Sequence, residues 1–386
     1  MKIFIIPSWY ASKKNGGACP FISEQAGALH KMGHEVIVLS IQMNPISSFF
    51  KRKETYMDVI EGVSTYYKEA TFFYPGRVFQ MNEQHFIRCL RHVFDKAEEE
   101  YGRPDVLYAH FSYPAGYAAS VLSKERKIPL VVQEHWSYLN RTSIPDSMKK
   151  ILFKTIDSAN AFIAVSVGLK NSIEHHIPES RGKIIVESNM IDPCFKFNQK
   201  CKHNGYVFFS MGNLIPGKGF LELIEAFAHA FSEKSEIKLR IAGSGQQESD
   251  IRTLIKQKHL ENQISLLGRL TRAETLNEYI NCDCFVLASK GETFGLVYRE
   301  ALAVGRPIIS TRHQGFSDEN WDESYGWLVD IDNREQLELA LNAAYEYQDS
   351  LGEERSRKCL QSCSCEIVMQ RIEKILQTAV DGGTHK

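Results

Sequence analysis

Two glutamates eight residues apart stand out in the stretch SKGETFGLVYREALAVGRPIIST, residues 289–311. The pattern predicts a loop, KGETFG, followed by a helix, LVYREALAV, which ends at Gly305. Glu292 then lies on the loop and Glu300 on the second helical turn, leaning back toward the loop as helical side chains do. The free amides at a helix start can bind an anion. One anion and two carboxylates suit a phosphorylated polyol.

The same two glutamates also allow a simpler interpretation. Both could be solvated, and Glu300 could merely pair with Arg299 or Arg306 of its own segment. For two unrelated glutamates taken alone, this interpretation is the one that the residues favour. The choice between the two depends on what other residues accompany them.

Lys218 stands between two glycines in the stretch NLIPGKGF, directly before a predicted helix. Glycine permits close backbone approach, a helix start offers free N–H groups and lysine supplies a point charge, so the stretch could hold a phosphate. It is not a Walker motif, and a surface turn is an equally good interpretation. The nearby GSGQQE, residues 243–248, lacks the context of a Rossmann fingerprint and is interpreted as a tight turn.

His110 and His135 each follow a predicted strand, in YAHF and in QEHWS. Without further context, a single histidine at a strand end is more often a hydrogen-bonded structural residue than a reactive one. His175 and His176 have no partners at metal-ligand spacing, and none of the nine cysteines forms a C-x-x-C pair. The sequence therefore predicts no metal site.

Two α/β domains are expected to position these residues. Apolar strands alternate with helical patterns such as FLELIEAFAHAF (220–231), once over residues 1–193 and again over 205–365, with an irregular polar linker between. The predicted fold class is α/β, with two doubly wound Rossmann-like domains facing a central cleft. A last helical pattern at 366–386 is expected to join the first domain. Ligands of such sheets bind beyond the carboxyl ends of strands.

Composition limits the partners. A net charge of −1 over 386 residues argues against bulk nucleic-acid binding, and no apolar run reaches the roughly 18–20 residues of a membrane span. The N-terminal MKIFIIPSWY reads as a buried strand rather than a signal peptide, and the cysteines favour a cytoplasmic protein. Phe49 and Phe50 beside three basic residues, in SSFFKRKE, could touch an anionic membrane surface, or could be an exposed loop.

Together, the second-half stretches resemble the retaining family 4 glycosyltransferases of the GT-B fold. NLIPGKGFLELIEAF, LRIAGSGQQ and ISLLGRLTRAETLNEYINCDCFVLASKGETFGLVYREALAVGRPIIST occur in the order seen in that family. Glu292 and Glu300 resemble its E-x7-E element. PSWYASKKNGGACPFISEQAGALHKMGHEV, YAHFSYPAGYAA, QEHWS and ESNMIDP resemble its first-half loops more loosely.

The resemblance implies a role for each matching residue. Lys218 would hold the donor diphosphate, Glu292 the hydroxyls of the transferred sugar and Glu300 the ribose. His135 matches a histidine close to the reacting sugar, and His110 lies on the acceptor side with it. The remaining donor-binding residues would act largely through backbone atoms: Gly16 and Gly17 on the diphosphate, Thr293, Phe294, Gly295, Leu296 and Val297 on the distal phosphate and sugar, and Arg269 and Leu270 on the base.

Two positions depart from the family pattern. Asn213 stands where the family often has an arginine, so one positive charge on the diphosphate is missing unless Arg269 or Arg299 compensates. Met190 stands where a turn glycine is usual.

The implied activity is metal-independent transfer of a hexosyl-type sugar, with retention, from a nucleotide sugar to a glycan or lipid-linked acceptor. A UDP-sugar is favoured over a GDP-sugar as the co-substrate, and no cofactor is expected. Bacterial surface polysaccharide or glycoconjugate synthesis is the expected setting, in the cytoplasm or peripherally on the inner face of the membrane. The alternatives are a non-catalytic nucleotide-sugar-binding partner and a nucleotide-sugar epimerase on the same two-domain fold.

Overall fold

The computed structural model describes residues 1–10, 19–45, 54–72, 79–201, 203–316 and 321–382. By its internal contacts the chain forms two compact units, Met1–Met190 with Cys365–Lys386, and Ile191–Ser364. The segment predicted as a linker therefore packs largely within the second unit. The amide of Ile191 donates to the carbonyl of Cys363 at 2.9 Å, and the buried ring of Phe195 packs edge-on against Tyr279.

The first unit contains an eight-stranded sheet. Its strands, in chain order, are β1 (Lys2–Pro7), β2 (Glu35–Pro45), β3 (Thr55–Ile60), β4 (Val63–Phe72), β5 (Val106–His110), β6 (Leu130–Glu134), β7 (Ala161–Ala164) and β8 (Ile184–Val186). They lie in the order β3-β4-β2-β1-β5-β6-β7-β8, and every neighbouring pair is parallel except β3 with β4. The order reverses between β1 and β5.

The antiparallel hairpin of β3 and β4 is absent from the sequence-based prediction, which recognised only parallel units in this half. Its two-residue turn consists of Glu61 and Gly62, both with positive φ (51° and 79°). That conformation matches the right-handed twist of the flanking strands. The first sheet is therefore mixed, with an antiparallel strand at its edge.

The second unit contains a six-stranded, fully parallel sheet. Its strands are β9 (Tyr206–Met211), β10 (Ile237–Ala242), β11 (Ile264–Gly268), β12 (Cys284–Leu287), β13 (Ile308–Thr311) and β14 (Gly326–Val329). The order β11-β10-β9-β12-β13-β14 is the 3-2-1-4-5-6 arrangement of a doubly wound dinucleotide-binding sheet. The strand order reverses between β9 and β12, so the loops that follow these two strands border the crevice where such sheets bind ligands.

The described ranges contain twelve α-helices, the last three of which follow β14. They are α1 (Pro20–Lys31), α2 (Phe79–Tyr101), α3 (Tyr117–Arg126), α4 (Asp146–Ser158), α5 (Val167–His176), α6 (Phe220–Phe231), α7 (Glu248–Gln257), α8 (Arg272–Asn281), α9 (Leu296–Val304), α10 (Arg334–Glu346), α11 (Gly352–Cys363) and α12 (Cys365–Val380). None of these helices combines the length and apolar character needed to cross a membrane. The α8 helix begins with a capping box, in which Thr271 and Glu274 satisfy each other's backbone amides.

Helix α12 returns to the first unit after the chain has completed the second. Its buried face, which includes Val368, Ile372 and Leu376, lies in one apolar cluster with residues of β1, β2 and β5. These residues recur every four positions, which places them along one side of the helix. The C-terminal helix is therefore part of the core of the first unit.

Leu376→Ala should destabilise the first unit selectively. Leu376 is fully buried, and removing a buried leucine side chain typically costs about 2–5 kcal/mol. Hydrogen exchange followed by mass spectrometry should show faster exchange in β5 and β6, against which α12 packs, and unchanged exchange in β9 and β10. Leu339→Ala, at a site 64% exposed, serves as the control. Equal acceleration in both sheets would contradict the assignment of α12 to the first core.

Candidate functional site

The loops after β9 and β12 bring Lys218 and Glu292 together. The ammonium group of Lys218 donates to Oε1 of Glu292, and both side chains are partly exposed. The loops are also tied through their backbones, because the amide of Lys290 donates to the carbonyl of Gly217 at 2.9 Å. Two residues that are 74 positions apart in the chain thus form one ion pair at the point where the strand order reverses.

Glycines permit this close approach and leave two helix starts open. Gly219 immediately precedes α6 with φ of 69°, and a Cβ there would lie 1.9 Å from the carbonyl oxygen of Ala288. Gly295 precedes α9 with φ of 75°. Neither glycine can supply the side-chain oxygen that usually caps a helix. The first-turn amides of α6 and α9 can therefore bind an anion.

The loop before α9, which includes Thr293 and Phe294, is held from behind by Arg299. The Arg299 guanidinium lies over the rings of Phe294 and Phe316, at 4.2 and 4.7 Å from the ring centroids. It also donates to the carbonyl oxygens of Phe294 and Gly315, both at 3.3 Å. Arg299 therefore braces the loop from which the amides of Leu296 and Val297 follow.

Glu300 lies on the second turn of α9, as predicted, but neither Arg299 nor Arg306 pairs with it. Its Oε1 accepts from Arg272 of α8 at 3.2 Å, and its Oε2 contacts the Tyr279 hydroxyl at 3.2 Å. Glu300 as a whole residue is 7% exposed. Burial raises its pKa to about 7, against the opposing effects of Arg272 and Tyr279. Arg306 instead donates to backbone carbonyls, including that of Tyr279.

The other predicted donor-binding residues of this unit follow β9 and β11. The Asn213 side chain is exposed. Nε of Arg269 donates to Oγ of Ser244 at 2.7 Å, and Leu270 follows it. Gly243, with φ of 131°, approaches the backbone of Gly212 so closely that a Cβ would lie 1.9 Å from its carbonyl oxygen. The GSG stretch of the loop after β10 thus packs closely against the loop after β9.

His313 is a buried residue beside this site that the sequence analysis missed. Its Nδ1 accepts from the amides of Gly315 and Phe316, at 3.1 and 3.2 Å. Burial lowers the pKa of His313 to about 4, and the charges of Glu292 and Lys218 act on it in opposite directions. The signal that could have identified His313 is its position just beyond β13, at the carboxyl edge of the sheet, where ligands bind.

In the first unit, His110 and His135 form a stacked pair. Nδ1 of His110 lies 3.1 Å from Nε2 of His135, so one nitrogen donates and the other accepts. Burial lowers the pKa of His110 to about 3. Burial, together with His110, also holds the pKa of His135 well below its ordinary value. Both imidazoles are therefore neutral near pH 7.

Glu134 fixes the turn that carries His135, and the sequence analysis did not single it out. Its Oε1 accepts from the amides of His135 and Trp136, and its Oε2 from that of Ser112, each at 2.8 Å. Burial raises the pKa of Glu134, and these hydrogen bonds oppose that effect. Three backbone amides on one carboxyl group join the loops after β5 and β6.

Some predicted features lie outside the described residues. These are Gly16 and Gly17, predicted to approach the diphosphate, and the membrane-contacting stretch with Phe49 and Phe50, of which residues 47–53 fall outside. Their roles stay predictions. Within the described ranges, no three His, Cys, Asp or Glu side chains are grouped as a metal site requires.

Known families match both units. The sequence profile described as "Glycosyltransferase Family 4" matches residues 15–194, and that described as "Glycosyl transferases group 1" matches residues 194–359. The chain belongs to the family 4 glycosyltransferases. This confirms the family inferred from the E-x7-E element and its neighbours, and the fold is that of GT-B glycosyltransferases.

Relatives of this glycosyltransferase include the putative teichuronic acid biosynthesis glycosyltransferase TuaC of Bacillus subtilis. It is 26% identical over 345 residues, which cover 82% of each chain. Sucrose-phosphate synthase from Thermosynechococcus elongatus has a TM-score of 0.80 at 14% identity, over 99% of this chain and 100% of that one. HepE of Anabaena, solved with UDP and glucose, has a TM-score of 0.71 at 19% identity, over 98% and 100%. At such identities the two structures show the fold alone.

The raised pKa of Glu300 predicts a pH-dependent effect of Glu300→Gln on stability. Since the pKa rises from 4.5 to about 7 on folding, the native glycosyltransferase binds more protons than the unfolded chain between these values and loses stability as the pH rises. The cost of the buried charge is absent below about pH 4.5 and complete above about pH 7. Glu300→Gln should therefore stabilise the enzyme more at pH 8 than at pH 5, by on the order of 2 kcal/mol. Denaturant titrations at both pH values would measure this. Equal changes at pH 5 and pH 8 would contradict it.

Proposed function

We propose that this family 4 glycosyltransferase transfers a hexosyl-type sugar from a nucleotide diphosphate sugar to a glycan or lipid-linked acceptor, with retention and without a metal. The observation that carries the proposal is the Lys218–Glu292 pair, set between the open starts of α6 and α9. A cation and free amides suit the diphosphate, and a carboxylate suits sugar hydroxyls. The second carboxylate, Glu300, supports a ligand with hydroxyl groups at both ends.

Departure of the nucleoside diphosphate is the step that this arrangement would assist. Negative charge develops on the leaving phosphate, and donors fixed in advance stabilise such charge most effectively. Lys218 and the amides of 293–297 would supply those donors. In the structure Lys218 is paired with Glu292. A bound diphosphate would compete for the ammonium group and leave Glu292 available to the hydroxyls of the transferred sugar.

His135 would act as a neutral group beside the reacting sugar. Because its pKa is held well below its ordinary value, it can donate or accept a hydrogen bond without carrying charge. Its tautomer is coupled to that of His110 through their 3.1 Å contact. In the proposed retaining reaction, front-face departure and attack need no covalent nucleophile, so Glu292 binds sugar and does not attack it. A trapped glycosyl ester on Glu292 would refute this assignment.

Two similar proteins support the choice of a UDP-sugar and of a bacterial polysaccharide setting. HepE was solved with UDP and glucose, and TuaC is named for teichuronic acid biosynthesis. Asn213 is the one observation that favours a non-catalytic binding partner, because it removes a charge usual in the family. Incubating the isolated chain with donor alone distinguishes these functions: hydrolysis supports the transferase, an epimerised donor supports the epimerase, and binding without either supports the partner.

Nucleotide binding should raise the thermal stability of the protein. A ligand that binds only the native state stabilises it by RT ln(1 + [L]/Kd), which is about 2.7 kcal/mol at 100 times Kd. In a thermal-shift screen over UDP, GDP, ADP, TDP and their sugars, we expect the uridine compounds to raise Tm most. A larger shift with GDP would overturn the choice of base. No shift with any nucleotide would overturn the proposed function.

Lys218→Ala should lower kcat/KM by about 10²–10³, the usual effect of losing one preorganised donor to a developing anion. The rate is measured at sub-saturating concentration of the donor that gives the largest thermal shift. Lys290→Ala is the matched control, because Lys290 lies two residues before Glu292 but pairs with Glu222 and Asp332, at 3.1 and 2.6 Å. We expect kcat/KM to stay unchanged in the control. An unchanged rate in Lys218→Ala would remove Lys218 from the mechanism.

A further inference from the structure

Arg272 holds the buried carboxylate of Glu300 from one side. This arginine is the first residue of α8, and its Nη1 lies 3.2 Å from Oε1 of Glu300. Its guanidinium also lies over the ring of Phe195, at 5.3 Å from the centroid, and 3.6 Å from a carboxylate oxygen of Asp192. An aromatic ring and two carboxylates thus surround one guanidinium, so its position is set before any ligand binds.

The charged and titratable groups that face Glu300 come from two elements. Arg272 and Tyr279 belong to α8, and Asp192 and Cys194 belong to the segment that leads into β9. The negative charge of Asp192 disfavours ionisation of Glu300, whereas the positive charge of Arg272 favours it. Among these groups Arg272 carries the positive charge that favours ionised Glu300, and burial of Glu300 acts against its ionisation. The ionisation of Glu300 therefore depends on Arg272.

The charge of Glu300 matters for the ligand that we assign to it. An ionised carboxylate accepts from two hydroxyl groups at once, one on each oxygen, whereas a protonated carboxyl group presents a donor at one of these positions. Two adjacent ribose hydroxyls are matched by the ionised form. Hydrogen bonds to an ionised group are also about twice as strong as those between neutral groups.

We propose that Arg272 is a positioning residue, which holds Glu300 as an oriented carboxylate for the two ribose hydroxyls of the donor and thereby sets the pH range in which the nucleotide binds. The proposal rests on the proposed function, since it assumes that Glu300 meets a ribose. It adds a residue outside the E-x7-E element and a pH dependence that follows from it.

A second ion pair in the same unit offers a matched control. Arg240 of β10 donates to the buried Glu278 of α8 at 2.7 Å. The side chains of Arg240 and Glu278 are 36% and 8% exposed, against 34% and 10% for Arg272 and Glu300. If Arg272 merely tied α8 to its neighbours, removing either arginine would have the same kind of effect.

The experiment compares UDP with 2′,3′-dideoxy-UDP. Isothermal titration calorimetry gives Kd for both nucleotides on the full chain between pH 5.5 and pH 9. The two probes share the phosphate ionisation near pH 6, so the ratio of their Kd values isolates the ribose hydroxyls. If the screen selects another base, the corresponding ribo and dideoxy pair replaces them.

In the wild type, we expect this ratio to favour UDP above about pH 7 and to decline below it, following Glu300. Arg272→Gln should move the midpoint of the decline upward by about one pH unit or more, as loss of a close opposite charge does. The preference for UDP at pH 7 should fall accordingly, by up to about tenfold per unit. Arg240→Gln should keep the wild-type midpoint.

Two further variants keep the test decisive if Arg272→Gln folds poorly. Arg272→Lys retains the positive charge and should keep the midpoint closer to that of the wild type. In a Glu300→Gln background, Arg272→Lys should leave the ratio unchanged across the pH range, because the carboxylate assigned to the ribose hydroxyls is gone.

Each outcome separates the two proposals. A wild-type midpoint in Arg272→Gln, or an equal shift in Arg240→Gln, would overturn the role of Arg272 and leave the proposed function standing. Wild-type protein that binds both nucleotides equally well at every pH would show that Glu300 does not meet the ribose and would overturn the role of Arg272 as well. Absence of nucleotide binding would overturn the proposed function itself.

Discussion

The contact between the backbones of Gly219 and Ala288 is the constraint on which the second unit's site depends. With 1.9 Å between a hypothetical Cβ at Gly219 and the carbonyl oxygen of Ala288, any larger residue would force the two loops apart. Lys218 precedes this contact and Glu292 follows it by four residues, so backbone sterics bring their side chains together. A partly exposed ion pair contributes little by itself. The pair is thus a consequence of the loop geometry, which also opens the starts of α6 and α9 on the same side.

The two glutamates of the E-x7-E element differ because their surroundings differ. Glu292 lies on a loop, partly exposed, and meets a lysine. Glu300 is enclosed between α8 and α9, and its ionisation must overcome the cost of burying a charge. A neutral residue at position 300 would avoid that cost, so the presence of a carboxylate there favours a ligand over a structural role. Glu292 pairs with Lys218, whereas Glu300 contacts Arg272 and Tyr279. These separate positions fit a ligand that is held at two places.

The sequence predicts much of the second unit because its signals are local. Helices α6 and α9 have the predicted bounds, since glycines mark their starts and apolar residues recur at helical spacing. The β3–β4 hairpin was missed because the first residue of its turn is Glu61, which lacks the freedom of glycine at positive φ. Arg272 and His313 were missed for another reason. The partners of Arg272, namely Glu300 and Asp192, are distant in the chain. The charges that act on His313, those of Glu292 and Lys218, are distant as well. Such residues become neighbours only through the order of the strands, which no local pattern encodes.

Asn213 raises the question of how this glycosyltransferase would hold a diphosphate with one arginine fewer than is usual in its family. The guanidinium of Arg299 lies over two rings, and two of its nitrogens donate to the carbonyls of Phe294 and Gly315, so these donors are directed at the loop itself. Arg269 is tied by its Nε to Ser244, on the loop after β10. In the described loops after β9 and β12, Lys218 is the cation that pairs with Glu292, whereas Lys290 pairs with Glu222 and Asp332. The amides at the starts of α6 and α9 are further donors. Amides aligned at a helix start carry a partial positive charge and need no reorganisation to meet an anion. We therefore infer that the proposed diphosphate site relies more on the open helix starts, and on the glycines that keep them open, than on side-chain charge.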